Sequence, residues 1–245
     1  DPRSRDKRTY RNVIFKNDMM VLDLMAHNNW KRPVYFAITV GDENYLGLEK
    51  YFRLDGLAYR IVPIQSETSE GQYGMIDSKI LYDNLMNKFK WGNIDNPKVY
   101  IDENNMRMLS NFRNNFARLA EQLINENKID SAVNVLDKSF KVLPISQVPL
   151  NYWAMPLIEQ YYRAKQAAKA NKLVEQLFND VNAEARFYAR FKTKPGIPDN
   201  EKQICLYTMS QLARMTETFG QKDVSTKIQN ALQGYMQMMG AGQQP

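Results

Sequence analysis

RNNFARLAEQLINENKIDSAVNVLDKSFKVLP, from Arg113 to Pro144, carries two apolar stripes at helical spacing, one after the other. Leu109, Phe112, Phe116, Leu119 and Leu123 recur every three or four residues. Ile129, Ala132, Leu136, Phe140 and Leu143 do the same. Each helix therefore has one apolar face that must be buried against another element. Pro144 ends the second helix, because it lacks an amide hydrogen and its ring clashes with the preceding turn.

C-terminal to this pair the helical pattern continues. NYWAMPLIEQYYRAKQAAKANKLVEQLFNDVNAEARFYARF is followed by a KTKPGIPDN loop and two more helices from about Lys202 to Met238. No strand signal returns after Asn104, and no single long apolar seam runs through the helices, so residues 105–239 read as a helical array. Between residues 14 and 104 the period alternates instead. In VIFKNDMMVLDLMAHN, Phe15, Met19, Leu22 and Met25 have helical spacing, and Pro33 disfavours helix at the residue before it. VYFAITV reads as a covered strand, GDEN as a turn able to cap a helix over YLGLEKYF, GLAYRIVPI as a second strand, DSKILYDNLMNKF as a helix, and KVYID as a third strand. The expected fold class is α+β: a small α/β unit of about three strands over 14–104, paired in part in parallel, then the helical array. A basic flexible tail at 1–13 and a short flexible tail at 240–245 flank them.

Composition restricts the function classes. The 245 residues are 44% hydrophobic and 24% charged, the balance of an ordinary globular protein. No apolar run is long enough to cross a bilayer. The net charge is +6, and Arg3, Arg5, Lys7, Arg8 and Arg11 against Asp1 and Asp6 put half of it in the first eleven residues. The remainder is mixed-sign surface without a nucleic-acid-binding signature, so no nucleic-acid partner is expected. With one cysteine, Cys205, no intrachain disulfide or thiolate zinc site can form. The Asp-Pro start reads as a piece cut from something longer.

The pair from Arg113 to about Ser146 resembles a tetratricopeptide repeat. Phe116 stands where the repeat has a large aromatic residue, Leu119-Ala120 where it has a large apolar residue and a small one, and Leu123 at the next apolar place. Ala132, twelve residues after Ala120, falls where the two helices of a hairpin approach closely, and Leu136 fills the space beside them. Ser139 departs from the usual alanine. Leu212-Ala213, Ser225 and the turn at Gly220 repeat the arrangement, while Pro156–Val181 matches in outline through Tyr161, Ala164, Ala168 and Leu177. Small residues at the crossing let helices pack, and large ones interlock with the next hairpin. The first helices of such hairpins line a concave face, here offering Asn114, Glu121, Asn125, Tyr207 and Arg214 as a protein-binding groove.

The usual catalytic groupings are not assembled in sequence. His27, the only histidine, ends an apolar helix one turn after Asp23. Cys205 has no cationic neighbour to make it a thiolate. ITVGDEN has one glycine where a phosphate loop needs several. No catalytic residue, metal site or cofactor is expected in this piece.

NNWKRPVYFA (Asn28 to Ala37) and NYLGLEKYFRLDGLAYRIVP (Asn44 to Pro63) resemble the C-terminal region of a multi-pass membrane protein family of Bacteroidetes. That family has no assigned function and is described as protein O-mannosyltransferase-like. The resemblance implies a parent that uses a lipid-linked sugar, with catalytic acids in membrane-embedded loops absent from this chain. It further implies a periplasmic, non-catalytic accessory region that binds an acceptor protein or braces the membrane half of its parent. Asn28 to Tyr51 is then scaffold, with Trp30 and Tyr35 as packing anchors. The alternative is a stand-alone enzyme with a small nucleotide or sugar site in the α/β unit.

Overall fold

The structure, a computed structural model, describes residues 14–66, 72–190 and 199–240. The expected N-terminal tail lies outside the described residues, as do most of the C-terminal tail and of the KTKPGIPDN loop. The fold is α+β, with two compact units, Asp1–Asp77 and Ser78–Pro245. The division comes earlier in the chain than the 14–104 unit read from the sequence, and it assigns the helix beginning at Ser78 to the helical unit.

The first unit holds α1 (Lys16–Asn28) and the strands β1 (Tyr35–Ala37), β2 (Phe52–Leu54) and β3 (Ala58–Ile61). The sheet order is β1-β3-β2 and both pairings are antiparallel, with Tyr35 opposite Arg60 and Phe52 opposite Ile61. Among the described residues, parallel pairing, expected for part of the sheet, is confined to a single bridge between Arg53 and Met75. The strand expected at KVYID is replaced by a turn, and Asp102 caps the following helix by accepting from the amides of Asn104 and Asn105. The third strand comes instead from Phe52–Leu54. The helix expected over YLGLEKYF is broken by the left-handed Leu46 and Gly47, leaving one 3₁₀ turn there, at Glu49–Tyr51, after another at Asp42–Asn44, and freeing Phe52 to extend. Gly74 also has positive φ, and a Cβ there would meet the Leu54 amide nitrogen at 3.1 Å. Glycine thus lets the chain pass close enough for Met75 to exchange hydrogen bonds with Phe52 and Leu54.

This unit's core is aromatic: Phe36, Tyr45 and Phe52 meet with ring centroids 5.0–5.7 Å apart, and Tyr59 stacks on Phe52 at 5.3 Å. The Tyr45 hydroxyl donates to the Val40 carbonyl, and burial raises its pKa. Trp30 and Tyr35 are not the anchors expected, being 55% and 47% exposed. Strand alternation turns Phe36 inward, so Tyr35 faces out. In α1, Val21 and Met25 pack on the core while Phe15, Met19 and Leu22 stay exposed, so of the stripe read from the sequence only Met25 turns inward. Asp18 is buried and accepts from the Phe15 amide, capping the helix start.

The second unit begins with α2 (Ser78–Asp83), continued by a π-helical turn, and then builds three helical hairpins. These are α3 (Glu103–Asn125) with α4 (Ile129–Val142), α5 (Met155–Arg163) with α6 (Ala167–Arg190), and α7 (Asp199–Thr218) with α8 (Lys222–Gly240). Each turns on one left-handed residue: Asn127, Lys165 and Gly220. The amide after that residue bonds back to a carbonyl five positions earlier, at 2.8 Å in all three: Lys128 to Leu123, Gln166 to Tyr161 and Gln221 to Thr216. This satisfies carbonyls that a helix end leaves open.

Aligned on those turns, the hairpins share a register. Leu119, Leu157 and Leu212 are equivalent and fully buried, and so are Ala120, Ile158 and Ala213 opposite Ala132, Ala170 and Ser225, none of them more than 5% exposed. The middle hairpin therefore places Leu157-Ile158 and Ala170 at the crossing, rather than following the outline through Ala164 and Ala168. In the last hairpin the Ser225 hydroxyl donates to the Ala213 carbonyl at 3.0 Å, which requires a small residue on both helices.

Among the described residues Arg113 is the largest fully buried side chain. Its guanidinium donates to the carbonyls of Leu143 at 2.8 Å, Pro149 at 3.1 Å and Val148, and it lies over the Phe140 ring. It thereby ties the end of α4 to the loop that leads into the second hairpin. Burial pulls it down to about 10, still protonated at neutral pH.

Candidate functional site

The shared register arranges the first helix of each hairpin into rows. Asn114, Tyr152 and Tyr207 each lie thirteen residues before their turn residue; Glu121, Glu159 and Arg214 lie six before; Asn125, Arg163 and Thr218 lie two before. All five residues expected in the groove fall on these rows. Equivalent positions on neighbouring hairpins touch. Arg163 donates to Asn125 at 2.8 Å and to Glu121 at 3.0 Å, joining α5 to α3. Tyr152 and Tyr207 meet with ring centroids 5.3 Å apart and hydroxyls 3.5 Å apart, joining the turn before α5 to α7.

These contacts give the five residues different roles. Glu121 and Asn125 are engaged by Arg163, so their polar groups brace two hairpins. Asn114 is half-buried. Arg214 is exposed and forms no ion pair with a described residue. Tyr207 belongs to a partly exposed aromatic cluster that sequence reasoning missed. Its other members are Tyr152, whose row position equals that of Tyr207, and Trp153, whose ring lies 5.5 Å from Tyr152 at 71°. Trp153 is 57% exposed and Tyr207 50%. The Asn151 side chain accepts from the Trp153 amide and fixes the 3₁₀ turn that presents both rings. The signal was the distance from Tyr152 to Lys165, legible only once Lys165 is known to be a turn residue.

Large exposed aromatics with hydroxyl and indole donors are the side chains that concentrate binding energy in protein interfaces. Burial, and then Tyr207, pushes the Tyr152 hydroxyl up to about 12, so it remains a neutral hydrogen-bond donor at physiological pH. Near Phe178, α6 and α8 enclose a cleft of about 340 Å³ whose rim carries the Glu175–Lys227 pair at 3.4 Å.

His27 and Cys205 sit in different settings. The imidazole pairs with Asp23, one turn away at an exposed helix end. Burial, then Glu184, pushes the Cys205 thiol up to about 12, far from the thiolate a nucleophile requires. The first unit's strands are antiparallel, without the carboxyl-end crevice at which open parallel sheets bind nucleotides.

Among the described residues no helix is long and apolar enough to cross a membrane. The family model described as TMEM260-associated domain 2, a domain linked to a membrane protein, matches residues 6–80. The match takes in α1 and all three strands, and stops within α2. No curated protein and no solved structure matches the chain.

Proposed function

We propose that this chain is a non-catalytic accessory region of a glycosyltransferase-like membrane protein of the O-mannosyltransferase type, and that its helical array holds polypeptide on the periplasmic side. The held chain is an acceptor protein or the membrane half of the parent. The observation that carries the reading is the Tyr152–Trp153–Tyr207 cluster, in which the shared hairpin register aligns half-buried Tyr152 with exposed Tyr207 and the exposed Trp153 stands beside them. A stacked array of tetratricopeptide type uses that face for peptide segments. The match of residues 6–80 to a domain linked to a membrane protein supports the parentage.

The test places Trp153→Ala with Tyr207→Ala in the parent membrane protein and follows glycosylation of its acceptors in cells. Loss of acceptor glycosylation at normal parent abundance is the expected result. Wild-type glycosylation of every acceptor would remove this face as the working surface. Both substitutions leave the Glu121–Arg163 bond between the first two hairpins intact.

A further inference from the structure

Resting on the reading of this face as a polypeptide-binding surface, we infer its ligand class: an extended, proline-containing segment with a carboxylate three or four residues from the proline. Three observations carry this. The first is ring geometry. Tyr152 meets Tyr207 at 51° and Trp153 at 71°, so the rings form notches rather than one flat platform. A pyrrolidine ring seats in such a notch, whereas a sugar ring stacks best on a flat, open face. Ile204, one turn before Tyr207 on α7 and 44% exposed, extends the apolar wall.

The second observation is donor supply. A polyproline II segment has no internal hydrogen bonds, so its carbonyls seek outside donors. Aromatic-lined grooves that bind it combine ring contacts with such donors. The Tyr152 and Tyr207 hydroxyls are 3.5 Å apart, so one can donate to the other while the second keeps a free proton. The indole N–H of Trp153 makes no hydrogen bond with a described residue. The cluster therefore offers donors and almost no demand for a partner that donates.

The third is charge complementarity. Arg214 lies seven residues beyond Tyr207 on α7, two helical turns along the same face, at a rise of about 10 Å. It is exposed and forms no ion pair with a described residue. A polyproline II chain advances about 3.1 Å per residue, so a segment lying along α7 with proline at Tyr207 brings its third or fourth further residue to Arg214. A carboxylate there would make a charge-assisted, two-pronged contact. Glu159 occupies the Arg214 row on α5 and is exposed, which disfavours running the acidic end towards the second hairpin and keeps the segment on α7.

The experiment uses the full 245-residue chain and fluorescently labelled octapeptides read by anisotropy. The parent peptide has two adjacent prolines and a glutamate three residues on. One companion replaces both prolines by alanine, and a second replaces the glutamate by lysine. Binding of the parent peptide is expected, at least tenfold weaker for the alanine companion and severalfold weaker for the lysine companion. Trp153→Ala or Tyr207→Ala should abolish it, with the circular dichroism spectrum unchanged. Arg214→Glu should reverse the preference between the glutamate and lysine peptides. Equal binding of proline and alanine peptides, or none by either, overturns the inference. Shifts of the Trp153 indole resonance by methyl mannoside with the peptides inert would overturn it too, by identifying a sugar site. Failure here with loss of acceptor glycosylation in the cellular test leaves the polypeptide-binding face in place with another ligand class; failure of both removes that reading as well.

Discussion

The two units bury their apolar side chains differently. In the helical unit Phe116, Leu119, Ala120, Ala132 and Leu136 are fully buried, and each hairpin repeats the arrangement with its neighbour. In the first unit a small aromatic core is closed by three short strands, while Ile14, Phe15, Met19, Met20, Leu22, Leu24 and Trp30 remain exposed over seventeen residues. A repeat array buries its stripes against the next copy of the same motif, so local pattern and final packing agree. A three-stranded sheet with one helix has few partners to offer, and α1 can turn only one of its two apolar sides to the core. Apolar periodicity therefore predicts burial well in the array and poorly in α1.

The largest expected effects sharpen that contrast. Phe116→Ala should cost about 3–5 kcal/mol in urea unfolding, whereas Phe15→Ala should stay within about 0.5 kcal/mol. Comparable losses at both positions would break the comparison, since they would mean that α1 buries both faces. Arg113→Ala, which strands three carbonyls in the interior, should cost roughly 3–5 kcal/mol, and hydrogen exchange should quicken first at the amides around residues 143–150. Uniform exchange across the array would show that the arginine does not tie down that loop.

A middle-sized effect is expected at the crossing of the first hairpin. Ala120→Leu should overpack against α4 and cost about 1–3 kcal/mol, read as a lower urea midpoint with unchanged slope. An unchanged midpoint would mean that α3 and α4 do not cross there.

The smallest effect is electrostatic. Lys128 first, then Gln122 and Ser78, hold Glu126 down to about 2 from an ordinary value of 4.5. A carboxyl whose folded value is depressed contributes stability above its unfolded value and loses it as pH falls towards the folded one. Glu126→Gln should therefore cost under about 1 kcal/mol near neutral pH, after solvent screening of this surface group. That difference should shrink between pH 4.5 and about 2. A gap between variant and wild type that is constant over that range would assign it to packing.

Much of the array was legible in the residues. The Arg113–Pro144 pair and the Ala213/Ser225 crossing follow from a 3.6-residue period and from the small side chains that close approach demands. The middle hairpin was harder, because Ile158 stands where its neighbours have alanine and its turn residue is a lysine, which does not advertise positive φ as Gly220 does. Of the candidate face, the sequence supplied Tyr207 and Arg214 but not Tyr152 and Trp153, which precede α5 in a short turn without periodicity.

By itself, then, the sequence determined the α+β class, the helical array and its first and last hairpins, because those depend on contacts near in the chain. Tertiary structure alone decided the antiparallel order of the sheet, the outward face of α1, the burial of Arg113 and the meeting of Tyr152 with Tyr207. Apart from the short β2–β3 hairpin, each of those depends on groups well separated in sequence, and no local pattern encodes which of two apolar faces will find a partner.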